Sequence, residues 1–124
     1  MELVGLSDPG QKLVVSYGTG QFKVGEHLYM HSILLLRNNV FYLDIENVNQ
    51  LTESVLERVF LASPKLDVLL IGYGVGKGRV NCQLTNALHN KAIGFDVMNT
   101  GAACRTYNVL ALEERQVAAV LIPL

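Results

Sequence analysis

Two short apolar runs separated by one helical stretch, Asp67 to Gly72 (DVLLIG) and Phe95 to Met98 (FDVM), constrain this chain more than any other feature. The first is a continuous apolar strand of the kind that is buried on both faces. Between the runs, Asn81 is a natural cap for a helix with Leu84, Ala87 and Leu88 on one stripe, ending near Lys91 to Gly94. Strand, helix and strand in this order require a right-handed crossover and a parallel pair, with helices covering both faces of the sheet.

The same alternation continues to the end of the chain. Asn99-Thr100-Gly101 turns the second strand into a helix over Gly101 to about Leu112, with Thr100 as the expected N-cap. Ala103, Tyr107 and Leu110 recur at i, i+4 and i+7, so Tyr107 belongs to the buried stripe. Val117 to Ile122 forms a last strand. Only Glu113 to Gln116 joins it to the helix, and on that short link it is expected to return antiparallel, giving a mixed sheet.

The first third has a different grammar. Ser7-Asp8-Pro9-Gly10 spells a turn, which places Leu3, Val4 and Leu6 on the surface of the body. Leu13 to Tyr17 is a short strand closed by Gly18-Thr19-Gly20; Phe22 and Val24 alternate with Lys23 before Gly25-Glu26; Leu28 to Leu36 is one further apolar run. Asn38-Asn39 marks a turn into a strand over Val40 to Ile45. These are antiparallel hairpins. Thr52 then caps a helix carrying Val55, Leu56, Val59 and Phe60, which stops at Ser63-Pro64 because proline cannot continue it. The expectation is an α/β domain with a central mixed β-sheet flanked by helices and an N-terminal β-hairpin region, as one domain over residues 1–124. An exposed strand of the hairpin region could pair with its symmetry mate, so a homodimer is expected.

Composition narrows the function classes. A net charge of −1, from ten basic and eleven acidic residues, argues against a broad nucleic-acid footprint. No apolar run reaches about 18 residues and the N-terminus lacks a basic start followed by an apolar stretch, so neither membrane insertion nor secretion is expected. Cys82 and Cys104 are too few for a disulfide framework and have no zinc spacing, which favours a reduced, cytoplasmic setting. His27, His31 and His89 are not spaced as metal ligands, and Asp44, Glu46, Asp67 and Asp96 show no two-carboxylate arrangement. No metal or cofactor is implied.

A candidate site follows from topology. The loops Gly72 to Arg79 and Asn99 to Arg105 leave the carboxyl ends of adjacent strands, where open α/β sheets place ligands. Gly72, Tyr73, Gly74, Lys77, Arg79, Asn99, Thr100, Gly101, Cys104 and Arg105 are therefore expected around one crevice, with Tyr107 and Asn108 as further neighbours. Three cationic side chains and the amide groups at a helix N-terminus would attract a small anionic ligand. The glycine-dense stretch GYGVGKG is not a Walker loop, since Ile71 stands at the first glycine position and Gly78 at the hydroxyl position. Nor does it fit GxGxxG, since Lys77 or Arg79 stands where the third glycine belongs. Its glycines are better explained by close backbone approach. Cys104, in a first helical turn beside Arg105, could have a lowered pKa and act as a nucleophile, but no base accompanies it in sequence and a small buried packing role is the simpler reading.

The segment VMNTGAACRTYNVL, the ending ERxVAAxLIP and the run LLIGYG at Leu69 to Gly74 resemble a known family. It comprises small archaeal and bacterial domains of unknown function and includes the mitochondrial complex I assembly factor 3. The resemblance implies a three-layer α/β domain with a central mixed sheet and an added hairpin. It also implies a role in binding or assembling other proteins, with no established turnover. Many relatives carry Asp where this chain has Asn99, so the resemblance favours a cap at this turn over a carboxylate mechanism.

Overall fold

The computed structural model describes residues 12–36 and 39–124, and contains eight strands and three α-helices among them. Strands β1 (Val14–Gly18), β2 (Gln21–Val24) and β3 (His27–Tyr29) form an antiparallel sheet in the order β1-β2-β3. Phe22 and Val24 alternate with exposed Gln21 and Lys23, so one face of this small sheet is buried. The proposed turn at Ser7 to Gly10 and the packing of Leu3, Val4 and Leu6 lie outside the described residues.

The apolar run Leu28 to Leu36 is not one strand. It breaks at Met30 to Ser32, where the chain leaves the small sheet and enters the large one as β4 (Ile33–Leu36), paired antiparallel with β5 (Asn39–Tyr42). The residues on either side of the expected turn, Leu36 and Asn39, stand opposite each other; Arg37 and Asn38 lie outside the described residues. The strand expected to reach Ile45 ends at Tyr42. A 3-10 turn over Val48–Gln50 follows, and the helix expected after Thr52 is mostly turns, with a short α1 at Glu57–Phe60. Thr52 nevertheless holds its start: its Oγ1 accepts from the Val55 amide at 3.1 Å.

The large sheet has the order β5-β4-β8-β6-β7. Strands β6 (Val68–Gly72) and β7 (Gly94–Met98) are parallel and joined by α2 (Cys82–Asn90), as the strand-helix-strand pattern requires. Asn81 caps α2, its Oδ1 accepting from the Leu84 amide at 2.8 Å. α3 (Thr100–Leu112) then crosses β6 to deliver β8 (Val117–Leu121) to its far side. Strand β8 runs parallel to β6, Val68 opposite Val117, and antiparallel to β4. The expected antiparallel return to the βαβ unit is therefore corrected. α3 already carries the chain back along the sheet, so the short link reverses it once and the strand sets off in the direction of β6.

Strand β8 is buried along its whole length, and its two faces feed two cores. Ala118 and Val120 pack with Leu69, Ile71, Leu84, Leu88, Leu51 and Leu56 on the α2 side. Val117, Ala119 and Leu121 pack with Leu70, Ala103, Cys104, Tyr107, Phe22 and Val14 on the α3 side. The small sheet thus lies over α3. Its first strand is fastened there by Asn108, whose Nδ2 donates to the Val14 carbonyl at 2.7 Å while its Oδ1 accepts from the Val14 amide at 2.9 Å.

Candidate functional site

At the carboxyl ends of β6 and β7 the two loops do meet, and they meet by filling the space between them. Thr100 is fully buried; its Oγ1 accepts from the Gly74 amide at 2.9 Å and donates to the Ile122 carbonyl at 2.7 Å. One hydroxyl thereby joins the glycine loop, the start of α3 and the end of β8. It is not the N-cap. Asn99 takes that place, with Oδ1 accepting from the Ala102 amide at 2.8 Å, because its extended backbone leaves the side chain free to turn back onto the helix.

The glycines permit this closeness. A Cβ on Gly72 would stand 3.0 Å from the Thr100 Cα, and one on Gly74, at φ +73°, would stand 2.6 Å from the Ile122 side chain. Gly101 is covered by the Tyr17 ring, which a Cβ would meet at 2.9 Å. Tyr73 is half-buried against the α2-side core and lies over Gly78.

The three cations part company. Arg105 donates from Nη1 to the Tyr17 hydroxyl on β1, on the α3 side of the sheet. Lys77 and Arg79 are exposed on the α2 side. There they line a groove of about 700 Å³ with Val75, Gly76, Val80, Asn81 and Cys82, facing Asn47, Val48 and Asn49 from the 3-10 turn. Of the ten residues expected around one crevice, Lys77 and Arg79 share this groove. Gly72, Gly74, Thr100, Gly101 and Cys104 are interior, Asn99 caps α3, and Arg105 faces the small sheet. Tyr107 is core and Asn108 is engaged with Val14.

The far wall of the groove lies outside the residues that the sequence marks as a site. Gln50 shapes it, its Oε1 accepting from the Glu46 amide at 2.7 Å and the Asn47 amide at 3.1 Å. Asn47 followed three residues later by Gln50 is a legible helix-start pattern. Asn81 ties the two walls together, its Nδ2 donating to the Leu51 carbonyl. Val48 is 3% exposed and forms part of the floor, whereas Val75 is 74% exposed and stands at the lip. No group of three or more His, Cys, Asp or Glu that could hold a metal occurs among the described residues.

Cys104 is 1% exposed, and burial pushes its thiol up from an ordinary value near 9 to about 12. The charge of Arg105 and a backbone hydrogen bond act in the opposite direction and are outweighed. The lowered pKa expected from a first-turn position is thus corrected: desolvation penalises the thiolate more than the nearby charge favours it. Three pKa units leave about a thousandfold less thiolate at neutral pH. Iodoacetamide is therefore expected to modify the exposed Cys82 and to spare Cys104 until the chain unfolds, as peptide mapping by mass spectrometry would show. The native state also holds this proton more tightly than the unfolded chain does. Its stabilising contribution is complete below pH 9 and is lost as pH rises from about 9 towards 12, at up to about 1.4 kcal/mol per unit. Alkaline denaturation of Cys104→Ala should lack this component. Equal labelling of the two cysteines at neutral pH would contradict the assignment.

Comparison with known proteins adds a lineage. The human NADH dehydrogenase (ubiquinone) 1 alpha subcomplex assembly factor 3 is 27% identical over 108 residues, covering 87% of this chain. The chain spans 59% of that protein's length. The crystal structure of an outer membrane protein from Bartonella henselae superposes with a TM-score of 0.82 at 36% identity, covering 93% of this chain and 97% of that one. A Bordetella pertussis protein described as a Mth938-like domain superposes with a TM-score of 0.78 at 25% identity, covering 94% and 88% of the two chains. None of the described helices is long and apolar enough to cross a membrane. The model of one family matches residues 14–122, so this chain belongs to the family described as protein of unknown function (DUF498/DUF598).

Proposed function

We propose that this chain is a non-catalytic protein-interaction module of the assembly-factor kind. The observation that carries this reading is the groove between Val48 and Val75 to Val80, an open concavity whose floor is apolar and whose charged residues are exposed. Such a surface suits a protein segment better than a reacting centre, because among the described residues its one thiol, Cys82, has no histidine or carboxylate beside it in the lining to act as a base. The usual ligand position of an open α/β sheet is taken up by the Thr100 hydrogen bonds. The relatives support the same reading: one is named for assembling NADH dehydrogenase and another as an outer membrane protein, so assembly of a membrane or respiratory complex is the process in which we place the chain.

Gentle affinity purification of the tagged full chain after cross-linking tests this. A partner retained in constant proportion by both the wild type and Arg105→Ala is the expected result. Recovery of none with either protein would overturn the reading.

A small anionic ligand is the second reading, favoured by Lys77 and Arg79 sharing the groove. Thermal shift against phosphates, nucleotides and carboxylates separates the two. A ligand present at 100 times its Kd would stabilise the fold by about 2.7 kcal/mol. The interaction reading predicts a flat panel.

A further inference from the structure

We infer that the groove receives an extended segment of a partner protein in which an aliphatic or aromatic side chain is flanked by Asp or Glu. This rests on the interaction reading above and names the chemistry of the occupant. The charges decide it. Among the described residues, Lys77 and Arg79 are the charged ones lining the groove and no carboxylate lines it; Asn47, Asn49 and Asn81 are neutral. The first turn of α2, which opens at this wall, also carries no acidic residue and is capped by the neutral Asn81, so its partial positive end meets no opposing charge there.

The apolar part selects against a free anion. Val48 at the floor and half-buried Val80 offer no donors, and a phosphate pushed against them would lose water without gaining hydrogen bonds. An apolar side chain gains there what the anion loses, while flanking carboxylates reach the exposed cations. Rim charges of this kind act mainly on encounter rate and partner choice, whereas the apolar anchor sets the lifetime of the complex. The basic lining is not shared by every hollow of the molecule. A smaller hollow of about 290 Å³ beyond Ile45 is lined by Asp44 and Glu46 with His31 and Tyr42, and would favour the opposite charge.

Panning the full chain against a random 12-residue peptide display library tests the inference, followed by fluorescence anisotropy with an enriched peptide. The expected result is enrichment of Asp and Glu around Leu, Ile, Phe or Met. Binding should fall about tenfold or more with Val75→Asp and with Lys77→Glu/Arg79→Glu, and should weaken with salt for the wild type. All three changes are at exposed positions, and unchanged circular dichroism spectra would confirm folded variants. Enriched peptides that are basic or uncharged, or that bind the variants as tightly as the wild type, would overturn it. So would competition by inorganic phosphate alone at equal charge, or a dimer in light scattering that Lys77→Glu dissociates. A co-purified partner that survives Val75→Asp would defeat this occupant while leaving the interaction reading intact.

Discussion

Thr100→Val is expected to lower the unfolding free energy by about 2–4 kcal/mol, although it replaces one side chain by another of nearly the same shape. The hydroxyl is buried, so its removal leaves the Gly74 amide without its acceptor and the Ile122 carbonyl without its donor in a place water does not reach. Each buried group stripped of its partner costs about 1–3 kcal/mol. Urea denaturation followed by circular dichroism measures the loss, and Thr100→Ser, which keeps the hydroxyl, should recover most of it. A Thr100→Val protein as stable as the wild type would mean that this junction does not hold the three elements together. The change should also loosen the segment from Gly74 onward, so faster amide exchange along the groove's Val75 to Val80 wall is the accompanying sign.

Tyr107→Ala should be costlier still, at about 3–5 kcal/mol. Tyr107 is fully buried in the core it shares with Phe22, Ile33, Leu35, Leu70, Ala103 and Ala119, where α3 lies on the large sheet and beneath the small one. The interior around it is close-packed and relaxes only in part when a large side chain is removed, so the loss combines transfer with an unfilled cavity. Differential scanning calorimetry of the variant beside Arg105→Ala makes the comparison informative. Arg105 is exposed and meets Tyr17 at the surface, so its truncation should cost under about 1 kcal/mol. Equal losses from the two would show that the α3 contact with the sheet is not where the stability resides.

These two residues show how unevenly the sequence discloses the molecule. Tyr107 could be assigned to the interior from spacing alone, because helical periodicity is a property of one element. The same holds for the Asn81 cap and for the parallel pairing of β6 and β7, where the intervening helix dictates the crossover. Thr100 was legible as a residue at a helix start, yet its partners lie 26 and 22 residues away, and no local pattern announces them. The family could be recognised from Thr100 to Leu110 and the chain ending, since these segments supply the α3 and β8 interior.

What required the tertiary structure was the arrangement of edges and long side chains. Nothing in the run Leu28 to Leu36 says that it serves two sheets, because a strand's composition records burial and not which neighbour supplies it. Adjacent loops at one rim of the sheet lead to the expectation that Arg105 stands beside Lys77 and Arg79. Its length lets it swing instead to Tyr17, 88 residues away, once the small sheet is laid over α3. The groove likewise joins Asn47 to Asn49 with Val75 to Cys82, two segments that only folding brings face to face. Periodicity and capping are written within single elements and so were determined by the sequence itself; the groove depends on how those elements dock, which is settled by packing across the whole domain.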